Sequence, residues 1–270
     1  MTEQISNYLK DCRVILVNTT HPGNVGAAAR AMKTMGLSEL YLVSDSTEII
    51  DDHAVARASG ANDLLENAVR VSSLKEAVAG CQYLLGTSAR ERTLSSPLIS
   101  PREAAHEGIN NYVASGHKIA ILFGQERMGL TNQEIALCHG QILIPANPEY
   151  SSLNIASAVQ LICYEFRLAV LDLIKNNENE KTIPKNRVNK RDIDIMADAY
   201  DMELFYEHLE RLMLKTEFLD PKQPKLLMQR LRRLFSRTQV KEQELNILRG
   251  ILSSSEKKVD LLDKLMEQQK

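Results

Sequence analysis

Tryptophan is absent from these 270 residues, and aromatic side chains of any kind make up only 5% of them. No run of about 18 apolar residues occurs, which excludes a simple membrane-spanning helix. The first ten residues are polar and lack the charged-then-apolar order of a secretory signal. A cytoplasmic address with no membrane partner is therefore expected. Cysteine is scarce as well. Cys12, Cys81, Cys138 and Cys163 stand far apart, each in or beside an apolar segment, and none forms a C-x-x-C pair. That spacing supports neither zinc nor dithiol chemistry, so no metal is expected and the thiols read as small buried hydrophobes. Neither sign of charge dominates: 33 basic and 35 acidic residues leave a net charge of −2. Affinity for nucleic acid would need positive charge gathered in one place.

What is present has the composition of a globular protein, 44% hydrophobic and 25% charged. Over the first two-thirds, short apolar runs alternate with helical stretches. Strands are expected at 14–17, 41–43, 83–85, 119–123 and 142–144. Helices are expected at 25–35, 73–79, from 101, from 132 to about 138, and at 153–175. Gly36 stands where a helix C-terminal glycine belongs, and Ser100 with Glu103, like Thr131 with Glu134, reads as a capping box. Such alternation implies an α/β fold, a parallel sheet covered by helices on both faces. Ligands of these sheets bind outside the carboxyl ends of the strands. The unusual loops at 18–23, 86–92, 124–130 and 145–152 all follow strands, which predicts one shared site.

Residues 176–186 are polar and without apolar periodicity, as a linker would be. The expected organisation is a catalytic-type domain at 1–175, a linker at 176–190 and a small all-helical extension at 191–270. Helices of the extension are expected at 192–216, 225–237, 243–253 and 257–267. Within it, residues 222–241 carry seven basic side chains, Arg230, Arg232 and Arg233 among them, and no acidic one. Leu226, Leu227, Leu231 and Leu234 read as an apolar stripe that leaves those charges facing outward.

Three loops carry the chemistry. In Asn24-Val25-Gly26-Ala27-Ala28-Ala29-Arg30, Asn24 reads as a helix cap and Arg30 lies nearly two turns further on. Gly23-x-x-Gly26 lacks the spacing of a dinucleotide-binding turn. In the second loop, Gly124 and Gly129 flank Glu126-Arg127 directly after a buried strand. In the third, Pro145 and Pro148 stiffen the approach to Ser151 or Ser152, which reads as the cap of a long helix. A surface arginine, a tight turn and an ordinary cap would explain each of these singly.

Together, Asn24-x-Gly26-Ala27-x-x-Arg30, Phe123-Gly124-x-Glu126-x-x-Gly129-Leu130 and Ile144-Pro145 through Ser152-Leu153-Asn154 resemble the three motifs of the SpoU methyltransferases, in order and in separation. The resemblance covers roughly residues 12–173. Residues 86–90 (GTSAR), 147–154 (NPEYSSLN) and 232–252 narrow it to a tRNA-modifying subgroup, and it then extends into the helical tail.

This resemblance implies a SPOUT-class domain whose chain is threaded into a trefoil knot, acting as a homodimer with S-adenosylmethionine as methyl donor. Periodicity alone would suggest an unknotted sheet. The implied donor site comprises Thr87, Ser88, Ala89, Gly124, Ile144, Ser151, Ser152 and Leu153. The implied substrate is tRNA, methylated on the ribose 2′-hydroxyl of the pyrimidine, C or U, at position 32 of the anticodon loop; another tRNA position or ribosomal RNA is the alternative. A catalytically silent RNA-binding protein on the same scaffold is a further rival, which the intact motifs oppose. Arg30 takes the central role, with Asn24, Glu126, Ser152 and Asn154 as positioning groups. A guanidinium, with a pKa above about 12, is a poor base, so Arg30 is expected to orient a phosphate and acidify the hydroxyl. Arg30, Arg90, Arg92, Arg230, Arg232 and Arg233 are the expected RNA contacts.

Overall fold

The computed structural model describes residues 2–44, 49–90, 97–180, 195–222 and 226–268. A short helix, α1 (Thr2–Leu9), leads into β1 (Cys12–Val17), α2 (Pro22–Met35) and β2 (Glu39–Val43). Then come α3 (Asp52–Ala58), α4 (Asn62–Glu66), β3 (Val69–Val71), α5 (Leu74–Ala77) and β4 (Tyr83–Ser88). After these follow β5 (Leu98–Ile99), α6 (Pro101–Glu107), β6 (Ile119–Phe123), α7 (Asn132–Ala136), β7 (Gly140–Leu143) and the long α8 (Ile155–Glu180). The tail consists of α9 (Ala199–Lys215), α10 (Leu227–Ser236) and α11 (Glu242–Gln268).

All seven strands join one sheet in the order β3-β2-β1-β6-β4-β7-β5, and every pairing is parallel. Both faces are covered, which is why the central strands read as unbroken apolar runs. In β1, Val14 and Leu16 enter one core with α2 and α8, while Ile15 and Val17 enter the other with α5 and α7. β6 divides in the same way, Ile121 and Phe123 to the first core and Ala120 and Leu122 to the second. The sandwich is an α/β layer structure, as expected.

Local signals explain the helix ends. Both capping boxes are formed, and Gly36 closes α2 in the left-handed region at φ 89°. Asn24 does not cap α2: the helix starts earlier, at Pro22, and His21 Nδ1 accepts from the Gly23 amide. Nor does Ser151 or Ser152 cap α8. Asn154 Oδ1 accepts the Ala156 amide at 2.9 Å, two residues inside the expected start. At its other end α8 continues to Glu180, through the first part of the expected linker; residues 181–194 lie outside the described residues. The two expected terminal helices are one, because no glycine or proline interrupts 251–268.

The tail has its own small core, including Phe205, Tyr206, Leu212, Leu245 and Leu252. Phe235 meets Phe205 edge-on, with ring centres 5.0 Å apart. The expected leucine stripe of α10 is displaced by one position. Met228 and Phe235 pack inward, with Arg232 between them on the same helix face, while Leu226 and Leu234 are exposed. Residues 227, 231 and 234 share the same spacing one step, about 100°, around the helix, so periodicity could not choose the phase. Asp198, which caps α9, also accepts the Gly80 amide at 2.8 Å, and the Ala199 amide donates to the Cys81 carbonyl. Those bonds, with the Lys75–Glu207 ion pair, attach tail to body.

Candidate active site

β1, β6, β4 and β7 are consecutive neighbours in the sheet. Their carboxyl ends therefore bring together the four loops singled out from sequence, and a cleft of about 960 Å³ opens between them. Thr20, His21 and Asn24 come from the first loop, Thr87 to Arg90 from the second, Gly124 to Gly129 from the third, and Ile144 and Tyr150 to Asn154 from the fourth.

Backbone packing builds the third loop. A Cβ on Gly124 would overlap the carbonyl carbon of Gly129 and the amide nitrogen of Leu130, so the strand exit requires glycine. The Gly129 amide donates to the Gln125 carbonyl at 2.8 Å, and Gly129 itself has φ 65°. This narrow turn projects Glu126 across to the first loop. Its carboxylate accepts from the amides of Thr20 and His21, from the Thr20 hydroxyl, and from Asn24 Nδ2 at 3.0 Å. Partial burial works to raise the Glu126 pKa, but the Asn24 amide and the backbone donors outweigh it and hold the carboxyl below its usual range.

That carboxylate sets a direction for everything beyond it. A carboxylate only accepts, so Asn24 must turn its Nδ2 toward Glu126 and its Oδ1 away. Asn24 Oδ1 then accepts from Asn154 Nδ2 at 2.9 Å, and Asn154 Oδ1 receives the Ala156 amide. One chain of polarity runs from the turn after β6, through the head of α2, to the first turn of α8. The Thr87 hydroxyl completes the frame by donating to the Leu122 carbonyl at 2.9 Å, which ties the end of β4 to that of β6.

The structure thus brings Asn24, Glu126, Ser152 and Asn154 to one cleft, together with Thr87, Ser88, Ala89, Gly124, Ile144, Ser151 and Leu153. Phe123, Ile142 and Ala158 supply apolar wall, and Arg90 and Arg127 stand at the opening. Arg30 is elsewhere. It lies exposed on α2, outside the lining of this cleft, and its side chain makes no bond to a described residue. Arg92 falls outside the described residues. In the tail, Arg230 and Arg233 are exposed, whereas Arg232 turns inward. It forms a two-pronged pair with Glu203 at 2.5 and 2.6 Å and lies over the Tyr206 ring. An arginine held in that way is a strut between α10 and α9, not an available phosphate ligand.

Two features escaped the sequence. His21 stands on the cleft wall, and its only sequence signal was its place beside Pro22. Arg13 is buried within β1, where it pairs with Glu39, donates to the Ala77 and Ala79 carbonyls and lies over Tyr41. Nothing local marks that role.

The SpoU rRNA Methylase family matches residues 11–164, and the C-terminal domain of the tRNA methyltransferase TrmJ matches residues 200–264. The tRNA (cytidine/uridine-2′-O-)-methyltransferase TrmJ of Pectobacterium atrosepticum is 48% identical over 254 residues, 93% of this chain and 99% of the relative. The tRNA (cytidine/uridine/adenosine-2′-O-)-methyltransferase TrmJ of Pseudomonas aeruginosa is 48% identical over 91% of this chain and 93% of its own length. The crystal structure of TrmJ from Z. mobilis ZM4 superposes with a TM-score of 0.74 at 32% identity, covering 90% of this chain and 98% of that one. With its cleft built from all three motifs and its tail matched separately, the chain belongs to the SpoU methylase family and carries the C-terminal domain of its TrmJ members.

Proposed function

We propose that this protein is an S-adenosylmethionine-dependent methyltransferase of the ribose 2′-hydroxyl in tRNA, acting on the cytidine or uridine at position 32 of the anticodon loop. The observation that carries the reading is the directed chain Glu126–Asn24–Asn154, which locks three loops around one cleft. The cleft suits the methyl donor. It is large enough for a nucleoside joined to an amino acid, it has apolar wall at Ile142, Ile144 and Leu153, and it has a backbone-lined turn at Gly124. Thr87, Ser88, Ala89, Gly124, Ile144, Ser151, Ser152 and Leu153 would hold the donor. When bound, S-adenosylmethionine supplies an electrophilic methyl group on a sulfonium.

The chain's own residues then have to align the ribose oxygen with that methyl group and let its proton leave. Asn24, Glu126 and Asn154 fix the loops, and Ser152 lies at the same mouth. Arg30 orients the nucleotide phosphate and lowers the pKa of the hydroxyl; the proton leaves through that phosphate or transiently through the guanidinium. Because Arg30 lies outside the cleft of its own chain, this reading calls for a homodimer in which each copy offers Arg30 to the other's cleft. The family resemblance supports a homodimer, as it supports the trefoil threading. The domain plan, 1–175 for chemistry and 191–270 for tRNA, and the cytoplasmic address belong to the same proposal. Arg90, Arg92, Arg230 and Arg233 are the remaining RNA contacts.

Arg30→Ala tests it. The variant keeps methyl-donor binding in calorimetry and loses turnover at least a hundredfold, the order expected for a group acting on developing charge. Near-normal turnover would overturn the assignment. Mixing Arg30→Ala with the cleft variant Asn154→Ala restores roughly a quarter of wild-type turnover if copies exchange within a twofold dimer, and none if Arg30 serves its own cleft.

A further inference from the structure

We infer that His21 is a positioning residue that donates a hydrogen bond from Nε2 to a phosphate oxygen of the RNA beside the target ribose. The inference rests on the methyltransferase reading above and adds a residue that lies outside the three motifs.

Three observations carry it. First, the ring has its tautomer fixed by its neighbour. Nδ1 accepts the Gly23 amide at 3.0 Å, so the proton of the neutral ring must sit on Nε2. Second, the residue is held in place from the other side of the cleft, because its own amide donates to Glu126 at 3.3 Å. The ring is therefore anchored at both the backbone and Nδ1, yet the residue is exposed and lines the cleft. Nε2 makes no bond to any described residue. Third, the same cleft carries positive charge, although the wall nearest His21 supplies none. On the α2 wall of the cleft Asn24 is engaged by Glu126 and Asn154, and no lysine or arginine of that helix lines the cleft. Arg90 and Arg127 supply positive charge from the other loops.

The same geometry excludes the more obvious role for a histidine here. A general base needs an unprotonated nitrogen facing the substrate, but the one such nitrogen is engaged by Gly23. Protonating it would break the helix cap. His21 is thus a donor, not the proton acceptor, and the anion it meets is either an RNA phosphate or the methyl donor's carboxylate. Its place at the head of α2, beside Asn24 and the motif-one helix that carries Arg30, favours the RNA.

The test uses the full-length protein with unmodified tRNA and three variants. Asn is a good helix cap whose side-chain oxygen falls near the position of Nδ1, so His21→Asn keeps the cap and removes the distant donor. It is expected to raise KM for tRNA about five- to tenfold, as for one lost hydrogen bond at a solvent-exposed site. Methyl-donor affinity by calorimetry, kcat and Tm stay at wild-type values. His21→Gln, whose amide nitrogen lies near the position of Nε2, recovers part of the tRNA KM. His21→Ala loses both functions and lowers Tm as well. A His21→Asn enzyme with wild-type KM would overturn the inference and leave His21 a cap only, and weaker methyl-donor binding in its place would assign Nε2 to the carboxylate and equally overturn it. If wild type itself fails to methylate tRNA, the functional reading has failed instead.

Discussion

The cleft of the α/β body and the helical tail hold their polar groups by different means. In the body, Glu126 reaches a loop about a hundred residues away and is satisfied by backbone amides and by an asparagine with no choice of orientation. The strands beneath are buried on both faces, so the geometry of the cleft is set by main chain and packing. In the tail, a small core is laced by ion pairs. Glu256 meets Arg211, Lys215 and His208, Arg249 meets Asp201, and Arg232 meets Glu203. Exposed pairs contribute at most about 1 kcal/mol each and fade with salt. The geometry of the cleft is therefore insensitive to ionic strength, whereas the ion pairs of the tail weaken with salt.

The sharpest way to break this contrast is Gly124→Ala. The added methyl meets backbone that has nowhere to move, so we expect about 3 kcal/mol of lost stability and loss of methyl-donor binding. Thermal melts and calorimetry would check it; tolerance of alanine would mean the turn is loose. Next come the arginines of α10. Arg232→Ala leaves Glu203 without its partner and should cost about 2 kcal/mol of tail stability with little change in the salt slope of tRNA binding. Arg230→Ala and Arg233→Ala should do the reverse, each reducing that slope by about one with no change in Tm. Binding isotherms at several salt concentrations separate the two outcomes.

The last effect is acidic and separates the two regions by pH. Burial depresses the pKa of His139, in the body, to about 4. The unfolded chain therefore takes up a proton first, near 6.5, and the stability His139 contributes above that pH is lost as pH falls toward 4. Glu256, in the tail, is lowered to about 2 by its bonds to Arg211 and Lys215. Its contribution persists down to the ordinary glutamate range and is lost only between about 4.3 and 2. Hydrogen exchange corrected for intrinsic rates should show protection falling in the body at pH 5.5 while the tail is unchanged. Loss in the tail first would contradict this order.

Much of this was legible in the sequence, for physical reasons. Fully buried parallel strands such as 119–123 announce themselves as apolar runs, capping boxes are local, and glycines betray turns that approach other backbone. The convergence of four loops followed from their shared position after strands. The rest depends on contacts that no local pattern encodes. β3 is only Val69–Val71, with two of its three residues exposed, and β5 is two residues long, so neither carries a periodic signal. Asn24 looked like a cap because the type is right; only the position of Glu126 shows that its side chain is needed elsewhere. His21 gives no further sequence signal, because a lone histidine beside a proline belongs to no motif. The phase of α10 was ambiguous between two faces of equal spacing, and Tyr206 and Glu203 decide it by receiving Arg232.

The central claim is that the cleft at the ends of β1, β6, β4 and β7 transfers a methyl group to a tRNA ribose. The most direct measurement is position-mapped mass spectrometry of unmodified tRNA after incubation with the protein and S-adenosylmethionine. The account predicts one added 2′-O-methyl group on the pyrimidine at position 32, lost with Arg30→Ala. Unmodified tRNA after incubation with folded, donor-binding protein would contradict it.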